Sequence, residues 1–259
     1  MKSIYLGDHR ALLETVDHCM MFVDTRDMIV APNLLMRNAW EVHETELVKR
    51  LLKPGMTFVD IGANIGYFTL LAGRVMGPGS KVFAFEPEPR SFELLRRNVV
   101  VNAMLDFIVT VPKAVYRRTE KLPFHVRKDY RANSGIAKSP QAWLDYLYDE
   151  TEEIEVDAVT LDEYFSSDVM IDVMKIDVEG AEPGAFAGMH NTLKRSPSIS
   201  ILCEWSPSQI RDAGNNAEEL LAEFEAQEFV PYEIGGNLKR LSLKDLPGMP
   251  YCNLLLRRE

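Results

Sequence analysis

Residues 58–66 read FVDIGANIG, and this stretch decides the fold class. A short apolar run ends in Asp60, and the turn that follows carries Gly62, Asn64 and Gly66 before an amphipathic helix begins. This order predicts a strand, a tight loop and a helix start. In that arrangement, backbone N–H groups can approach a ligand at the carboxyl edge of a sheet.

The spacing of the loop indicates which ligand it holds. D-x-G-x-N-x-G departs from the dinucleotide fingerprint G-x-G-x-x-G, whose second and third glycines would fall at Asn64 and Tyr67. The bulk of Tyr67 would obstruct the close helix–strand packing that the third glycine allows. We therefore expect a nucleoside rather than a pyrophosphate in this loop, and S-adenosylmethionine is the candidate.

Composition narrows the class of protein. The 259 residues suffice for one large domain, and the formal net charge of −10 disfavours nucleic acid and anionic lipid as partners. No apolar run approaches the ~20 residues of a membrane span, and the charged N-terminus differs from a signal peptide. The cysteines and histidines are too scattered for a disulfide framework or a metal site. We expect a cytoplasmic protein that acts on a small molecule, and the sequence leaves a homodimer open as an alternative to a monomer.

Alternating strand-like and helix-like segments predict an α/β fold, a mostly parallel sheet with helices on both faces. The predicted strands are residues 58–61, 81–86, 107–111, 169–176, 199–204, 229–234 and 251–257, the last two antiparallel. The predicted helices run to about residue 75 and over 90–102, 181–194 and 217–227.

Two regions depart from this alternation. Residues 1–40 are predicted to form a small N-terminal cover with strands at 20–23 and 28–30, ahead of a catalytic domain over 41–259. Within that domain, residues 112–160 are predicted to form an inserted segment on the substrate side. Its predicted parts are a hairpin of 115–118 with 122–126, a polar loop over 127–139, an aromatic segment at 143–148 and an extended piece at 153–159.

Glu86 ends the second predicted strand, 20 residues after Gly66. In doubly wound sheets an acid at this place accepts hydrogen bonds from the ribose hydroxyls. The alternative is a solvated carboxylate at a strand end. Its position relative to the first loop favours the ribose-binding role.

A second acidic group follows the predicted strand 169–176. Asp177, Glu179 and Glu182 lie within six residues at a helix start, where the helix dipole favours carboxylates. They would project over the same sheet edge as the nucleoside loop, although helix capping is an alternative, and Lys175 could point away. Glu204 closes the next strand at that edge.

Small polar residues interrupt the loop over 127–139. Asn133 and Ser134 precede a glycine there, and they could close over the cofactor or form an ordinary turn.

Three segments carry a family resemblance. They are FVDIGANIGY at residues 58–67, VFAFEP at 82–87, and TLDE at 160–163 followed by KIDVEGAE at 175–182. Together they resemble the FkbM-type S-adenosylmethionine-dependent methyltransferases. The resemblance implies a Rossmann-like class I fold with a seven-stranded sheet. It also implies methyl transfer, usually to a hydroxyl of a natural product or sugar.

Methyl transfer to an alcohol requires a base, because the alcohol is a weak acid. We expect Asp177 in this role, with Glu179 or Glu204 as the alternative, and Asp177 also contacts the cofactor in this hypothesis. A Mg²⁺-assisted reaction through the same three acids, or methylation of nitrogen, is an alternative. A nicotinamide oxidoreductase and a non-catalytic cofactor-binding protein are the rival classes.

Overall fold

The computed structural model describes residues 3–138 and 140–259. Met1 and Lys2, which belong to the predicted cover, and Ser139, which belongs to the predicted polar loop, lie outside the described residues.

An antiparallel three-stranded sheet and two helices form the N-terminal region. Its elements are β1 Ser3–Gly7, β2 Arg10–Glu14, β3 Met20–Asp24, α1 Val30–Arg37 and α2 Val42–Leu51. The strand predicted at residues 28–30 is wrong. The carboxylate of Asp27 instead accepts hydrogen bonds from the backbone N–H groups of Val30 and Ala31, both at 2.8 Å, and so caps the start of α1.

The first half of the main sheet follows the predicted alternation closely. Its elements are β4 Thr57–Ile61, α3 Tyr67–Met76, β5 Lys81–Phe85, α4 Pro89–Val101 and β6 Ile108–Val111. Glu88 caps α4 by accepting hydrogen bonds from the backbone of Arg90 and Ser91. The buried Asn98 side chain joins α4 to two other segments, because its amide donates to the carbonyls of Phe22 and Ile65.

The middle segment pairs differently from the prediction. Its elements are β7 Ala114–Val115, β8 Lys121–Arg127, α5 Gln141–Leu147, β9 Thr151–Val159 and α6 Leu161–Tyr164. The predicted hairpin of 115–118 with 122–126 is wrong, since β8 pairs antiparallel with β9 and β7 pairs parallel with β9. β9 is nine residues long and offers β8 a longer partner, while the backbone N–H of Tyr116 already donates to Val159.

The second half completes the main sheet. Its elements are β10 Val173–Ile176, α7 Glu182–Ala187, α8 His190–Lys194, β11 Ser200–Trp205, α9 Pro207–Asp212, α10 Ala217–Ala226, β12 Val230–Glu233, β13 Lys239–Arg240 and β14 Cys252–Arg257. The single helix predicted over 181–194 is wrong, because α7 ends at Ala187 and α8 begins at His190. A Cβ at Gly188 would lie 2.1 Å from the Tyr116 carbonyl oxygen, so this position requires glycine, and the Gly188 carbonyl accepts a hydrogen bond from Asp162 N outside the helix.

The main sheet of the described residues has the order β13-β12-β14-β11-β10-β4-β5-β6. β14 runs antiparallel to both neighbours, while β11, β10, β4, β5 and β6 are parallel. The α/β prediction is confirmed. The predicted seven strands omit β13, a two-residue edge strand that is too short to show a periodic pattern.

Two apolar clusters cover the faces of this sheet. Along β4, Phe58 belongs to one cluster and Val59 to the other, as expected for successive residues of a strand. All four residues of β10 are buried, which is typical of a parallel strand between two helical layers. Polar side chains that could contact a ligand therefore lie near the ends of these strands, where the apolar layers stop.

Candidate functional site

A cleft of about 380 Å³ opens where the parallel strands end. It brings together nearly all the residues that the sequence singled out. Its wall includes Asp60, Gly62, Asn64, Glu86, Asn133, Ser134, Asp177, Glu179 and Glu204. Gly66 is not part of this wall. A Cβ there would lie 2.6 Å from Leu95 Cδ1, so Gly66 acts by letting the start of α3 pack against α4.

Gly62 joins three strand ends. Its φ of +81° favours glycine, and a Cβ there would lie 1.8 Å from the carbonyl oxygen of Asp177. The backbone N–H groups of Gly62 and Ala63 both donate to the Phe85 carbonyl, at 3.0 and 2.9 Å. The turn after β4 therefore contacts the ends of β5 and β10 directly, which requires glycine at this position.

Glu86 is held rigidly at the cleft wall. One carboxylate oxygen accepts a hydrogen bond from Asn64 N at 2.8 Å, and the other accepts one from Glu88 N at 2.8 Å. Burial raises the pKa of this carboxyl to about 8. The oxygens of this carboxyl keep free lone pairs even when it carries a proton near pH 7, so the side chain can still accept hydrogen bonds from a ligand.

Asp60 is buried beside the same loop. Thr69 Oγ1 of α3 donates a hydrogen bond of 2.6 Å to its carboxylate. Burial raises the pKa of Asp60 to about 6, so it is mostly ionised at neutral pH. Asp60 therefore places negative charge in the cleft wall, where it would stabilise a cationic part of a ligand.

Lys175 points into the cleft, so the alternative that it points away is wrong. Its ammonium lies 2.6 Å from Asp177 Oδ2, 3.8 Å from Glu41 Oε2 and 4.7 Å from the centre of the Phe68 ring. Burial alone would lower the pKa of this lysine, but Asp177, Glu41 and Asp60 together raise it. Lys175 stays charged, and it orients Asp177 through a charge-assisted hydrogen bond.

Glu179 lies in the loop after β10, at the cleft wall, with a φ of +54°. Its carboxylate accepts hydrogen bonds from Gln209 Nε2 at 2.6 Å and from Asn133 Nδ2 at 3.3 Å. Burial, followed by the nearby Asp177 charge, raises the pKa of Glu179 to about 8. The loop that carries Asn133 is thus connected to the acid after β10.

Glu204 is an acid of the cleft wall that has unmet hydrogen-bonding capacity. Its Oε2 atom is buried and has no hydrogen-bond partner among the described residues. Burial and then the charges of Asp177 and Glu179 raise the pKa of Glu204 to about 10, although a hydrogen bond with Tyr251 acts in the other direction. At neutral pH this carboxyl carries a proton.

Two of the polar side chains that the sequence singled out have structural roles. Ser134 lines the cleft, but its hydroxyl accepts a hydrogen bond from Arg127 N at 3.0 Å. Glu182 accepts hydrogen bonds from Val178 N and Gly180 N, at 3.2 and 3.3 Å, and is not part of the wall. Glu182 therefore shapes the loop after β10, as the capping alternative proposed.

Several polar residues that the sequence reasoning missed also belong to the wall, among them Glu41, Arg131, Gln209 and Tyr251. Each comes from a different part of the chain, and none lies in a motif. Tyr251 begins a predicted strand, a position that many unrelated polar residues share, and the other three carry no local signal.

Metal clusters and membrane-spanning helices are both absent from the described part of the chain. Within residues 3–138 and 140–259, no three His, Cys, Asp or Glu side chains are placed to hold one metal ion. No helix in the same ranges has the length and apolar character needed to span a membrane.

Sequence comparison relates the chain to known methyltransferases. A model of the methyltransferase FkbM domain matches residues 60–231. The 31-O-demethyl-FK506 methyltransferase FkbM of Streptomyces tacrolimicus is 34% identical over 161 residues, which are 54% of this chain and 62% of that protein. Methyltransferase sdnD of Sordaria araneosa is 30% identical over 183 residues, 59% of this chain and 68% of that protein.

Among solved structures, the chain is similar to methyltransferase FkbM from Methylobacillus flagellatus KT, with 14% sequence identity. The alignment has a TM-score of 0.49 and covers 80% of this chain and 44% of that one.

Proposed function

Since the chain belongs to the FkbM methyltransferase family, we propose that it transfers a methyl group from S-adenosylmethionine to a hydroxyl oxygen of a small natural product or sugar. The name of the Streptomyces relative, a 31-O-demethyl-FK506 methyltransferase, supports oxygen as the acceptor atom. The match spans 62% of that relative's length, so the activity and the acceptor of this chain are proposals.

One observation carries the proposal: Gly62, Asn64 and Glu86 meet at one wall of the cleft. Gly62 leaves no room for a side chain, and Glu86 is a buried acceptor fixed by two backbone N–H groups. A nucleoside presents a flat base and two ribose hydroxyls, which this combination fits. Gly62 and Asn64 would hold the nucleoside against the loop, and Glu86 would accept from the ribose.

When bound, S-adenosylmethionine supplies a methyl group on a positively charged sulfur. The residues of this chain must hold the acceptor oxygen in position and remove its proton. Asp177, Glu179 and Glu204 line the part of the cleft where β10 and β11 end, so they are the candidates for both tasks.

We propose Asp177 as the base at neutral pH. Glu179 and Glu204, with pKa values raised to about 8 and about 10, carry protons near pH 7 and so cannot accept another. The Asp177 side chain is 29% exposed and oriented by Lys175. Glu179 or Glu204 would replace it as the base only in alkaline solution.

An Asp177→Asn variant tests this assignment. Turnover should be lost, while S-adenosylhomocysteine binding, followed by calorimetry, should stay near the wild-type value. Asp172→Asn is the matched control, because Asp172 lies just before the same strand, where its carboxylate accepts from Thr57 N. Undiminished turnover in Asp177→Asn would remove Asp177 from the mechanism.

The alternatives need different experiments. Loss of activity in EDTA and recovery with Mg²⁺ would favour the metal-assisted reaction. Titration of S-adenosylmethionine against NAD⁺ separates the methyltransferase from an oxidoreductase. Mass spectrometry of products from a substrate panel with hydroxyl and amino groups separates oxygen from nitrogen methylation. A folded protein that binds the cofactor and methylates no member of the panel would favour the non-catalytic class.

A further inference from the structure

Arg131 is a buried cation at the cleft wall with little bonding of its own. It begins the short 3₁₀ turn Arg131–Asn133, and its side chain is only 8% exposed. Its Nε atom is buried and has no hydrogen-bond partner in the part of the chain that the structure describes. The nearest ion pair, to Asp24, is long at 3.9 Å. A guanidinium that is buried and unsatisfied is costly, so a structural role alone does not explain it.

The acids beside Arg131 are already bound by other groups. Arg26 donates to the Asp24 carboxylate through Nε and Nη2, with distances of 3.0, 3.2 and 2.6 Å. The carboxylate of Asp27 accepts from the backbone at the start of α1, including Val30 N at 2.8 Å. Neither acid therefore satisfies the hydrogen-bonding capacity of Arg131.

The charge of the cleft makes this cation distinctive. Most charged side chains of the wall are acids, and the other cations among its residues are Lys113 and Lys175. Lys175 is bound to Asp177 and close to Glu41, and Lys113 is partly exposed to solvent. An oxyanion entering the cleft would therefore meet Arg131 as its one buried cation with an unpartnered donor, among the residues that the structure describes.

We infer that Arg131 binds a carboxylate or a similar oxyanion that a ligand brings into the cleft. The planar guanidinium can donate two parallel hydrogen bonds to such a group. Two sources have this chemistry. One is the amino-acid carboxylate of S-adenosylmethionine, which rests on the proposed function, and the other is an acidic group on the methyl acceptor.

Calorimetry with two nucleosides tests the first source. S-Adenosylhomocysteine carries the carboxylate, whereas 5′-methylthioadenosine lacks the amino-acid part. If the cofactor is the source, Arg131→Met should weaken S-adenosylhomocysteine binding by about 10- to 100-fold, the range for a charge-assisted hydrogen bond. Methylthioadenosine binding should stay unchanged, which also shows that the variant is folded.

Sulfate tests the second source. Wild-type protein saturated with S-adenosylhomocysteine is titrated with sulfate, and the same titration is made with Arg131→Met. If the acceptor is the source, sulfate binds the loaded wild type and not the loaded variant, while both nucleosides bind the two proteins equally. Lys128→Met is the matched control, because Lys128 is a nearby cation that pairs with Glu150 and is not part of the cleft wall. It should bind all three probes like the wild type.

The inference is overturned if Arg131→Met changes neither nucleoside binding nor sulfate binding. If that variant fails to bind methylthioadenosine, Arg131→Lys replaces it. Lysine keeps the charge without the planar fork, so it should show a smaller selective loss of S-adenosylhomocysteine or sulfate. If the wild type binds neither nucleoside, the proposed function fails, and the sulfate titration of the unloaded protein decides the inference alone.

Discussion

Replacing Gly62 by alanine should lower both the stability of the protein and its affinity at the proposed nucleoside site. The new Cβ would lie 1.8 Å from the Asp177 carbonyl oxygen, well inside the 3.0 Å that real Cβ contacts respect. The end of β10 would have to retreat by about 1 Å, although Asp177 N donates to Ile61 O at 3.0 Å. A positive φ costs alanine about 1–2 kcal/mol, and a weakened backbone hydrogen bond costs about 1 kcal/mol more.

The free energy of unfolding should therefore fall by about 2–3 kcal/mol, measured by urea denaturation. Gly55→Ala is the matched control, because Gly55 has a φ of +87° and no atom lies within 4 Å of its ideal Cβ. That variant should lose only the backbone part, about 1–2 kcal/mol. S-Adenosylhomocysteine affinity should fall at least about tenfold in Gly62→Ala, equivalent to a loss of about 1.4 kcal/mol, and stay unchanged in the control. Equal losses of stability in both variants, with normal affinity, would refute the close-contact argument.

Three further perturbations probe the buried charges. Burial raises the pKa of Glu86 from 4.5 to about 8, so its contribution to stability is complete below pH 4.5 and is lost as the pH rises to 8. Glu86→Gln should therefore flatten the fall in unfolding free energy over this pH range. A pH profile like that of the wild type would contradict the prediction. Asp149→Ala removes the carboxylate that lies 2.7 Å from the buried Arg127, and the free energy of unfolding in urea should fall by about 3–5 kcal/mol. A fall of less than about 1 kcal/mol would contradict this prediction. In thermal unfolding, Lys175→Met should destabilise the protein more at pH 8 than at pH 5. Glu41, with a pKa of about 7, is protonated at the lower pH and so is left as an unpaired charge only at the higher one. Equal losses of stability at the two pH values would contradict this argument.

Much of the fold could be predicted because its signals are local. The turn after β4 requires an acid, glycines and a helix start in one short run, and the spacing of those residues is visible in the sequence. The strand ends that carry Glu86 and Glu204 follow from the same apolar periodicity. Parallel strands present their carboxyl ends at one edge, so the convergence of these acids could be expected from the sequence pattern.

The parts that failed depend on contacts between distant segments. β8 pairs with β9 because a nine-residue strand offers more hydrogen bonds than the short segment 115–118. The helix predicted over 181–194 is interrupted at Gly188, where the backbone of Tyr116 approaches closely and Asp162 N donates to the Gly188 carbonyl. Neither partner can be identified from a local pattern, since both are chosen by the packing of remote chain segments.

By itself, the sequence determined the α/β class and the glycine-containing turn after β4, because φ preferences, glycine spacing and apolar periodicity act within a few residues. The tertiary structure alone decided which charges share the cleft. It brought Glu41 to Lys175, Tyr251 to Glu204 and Arg131 into the wall, from elements far apart in the chain. Burial then shifted the pKa values of the acids, and burial is a property of the packed chain, which no single segment possesses.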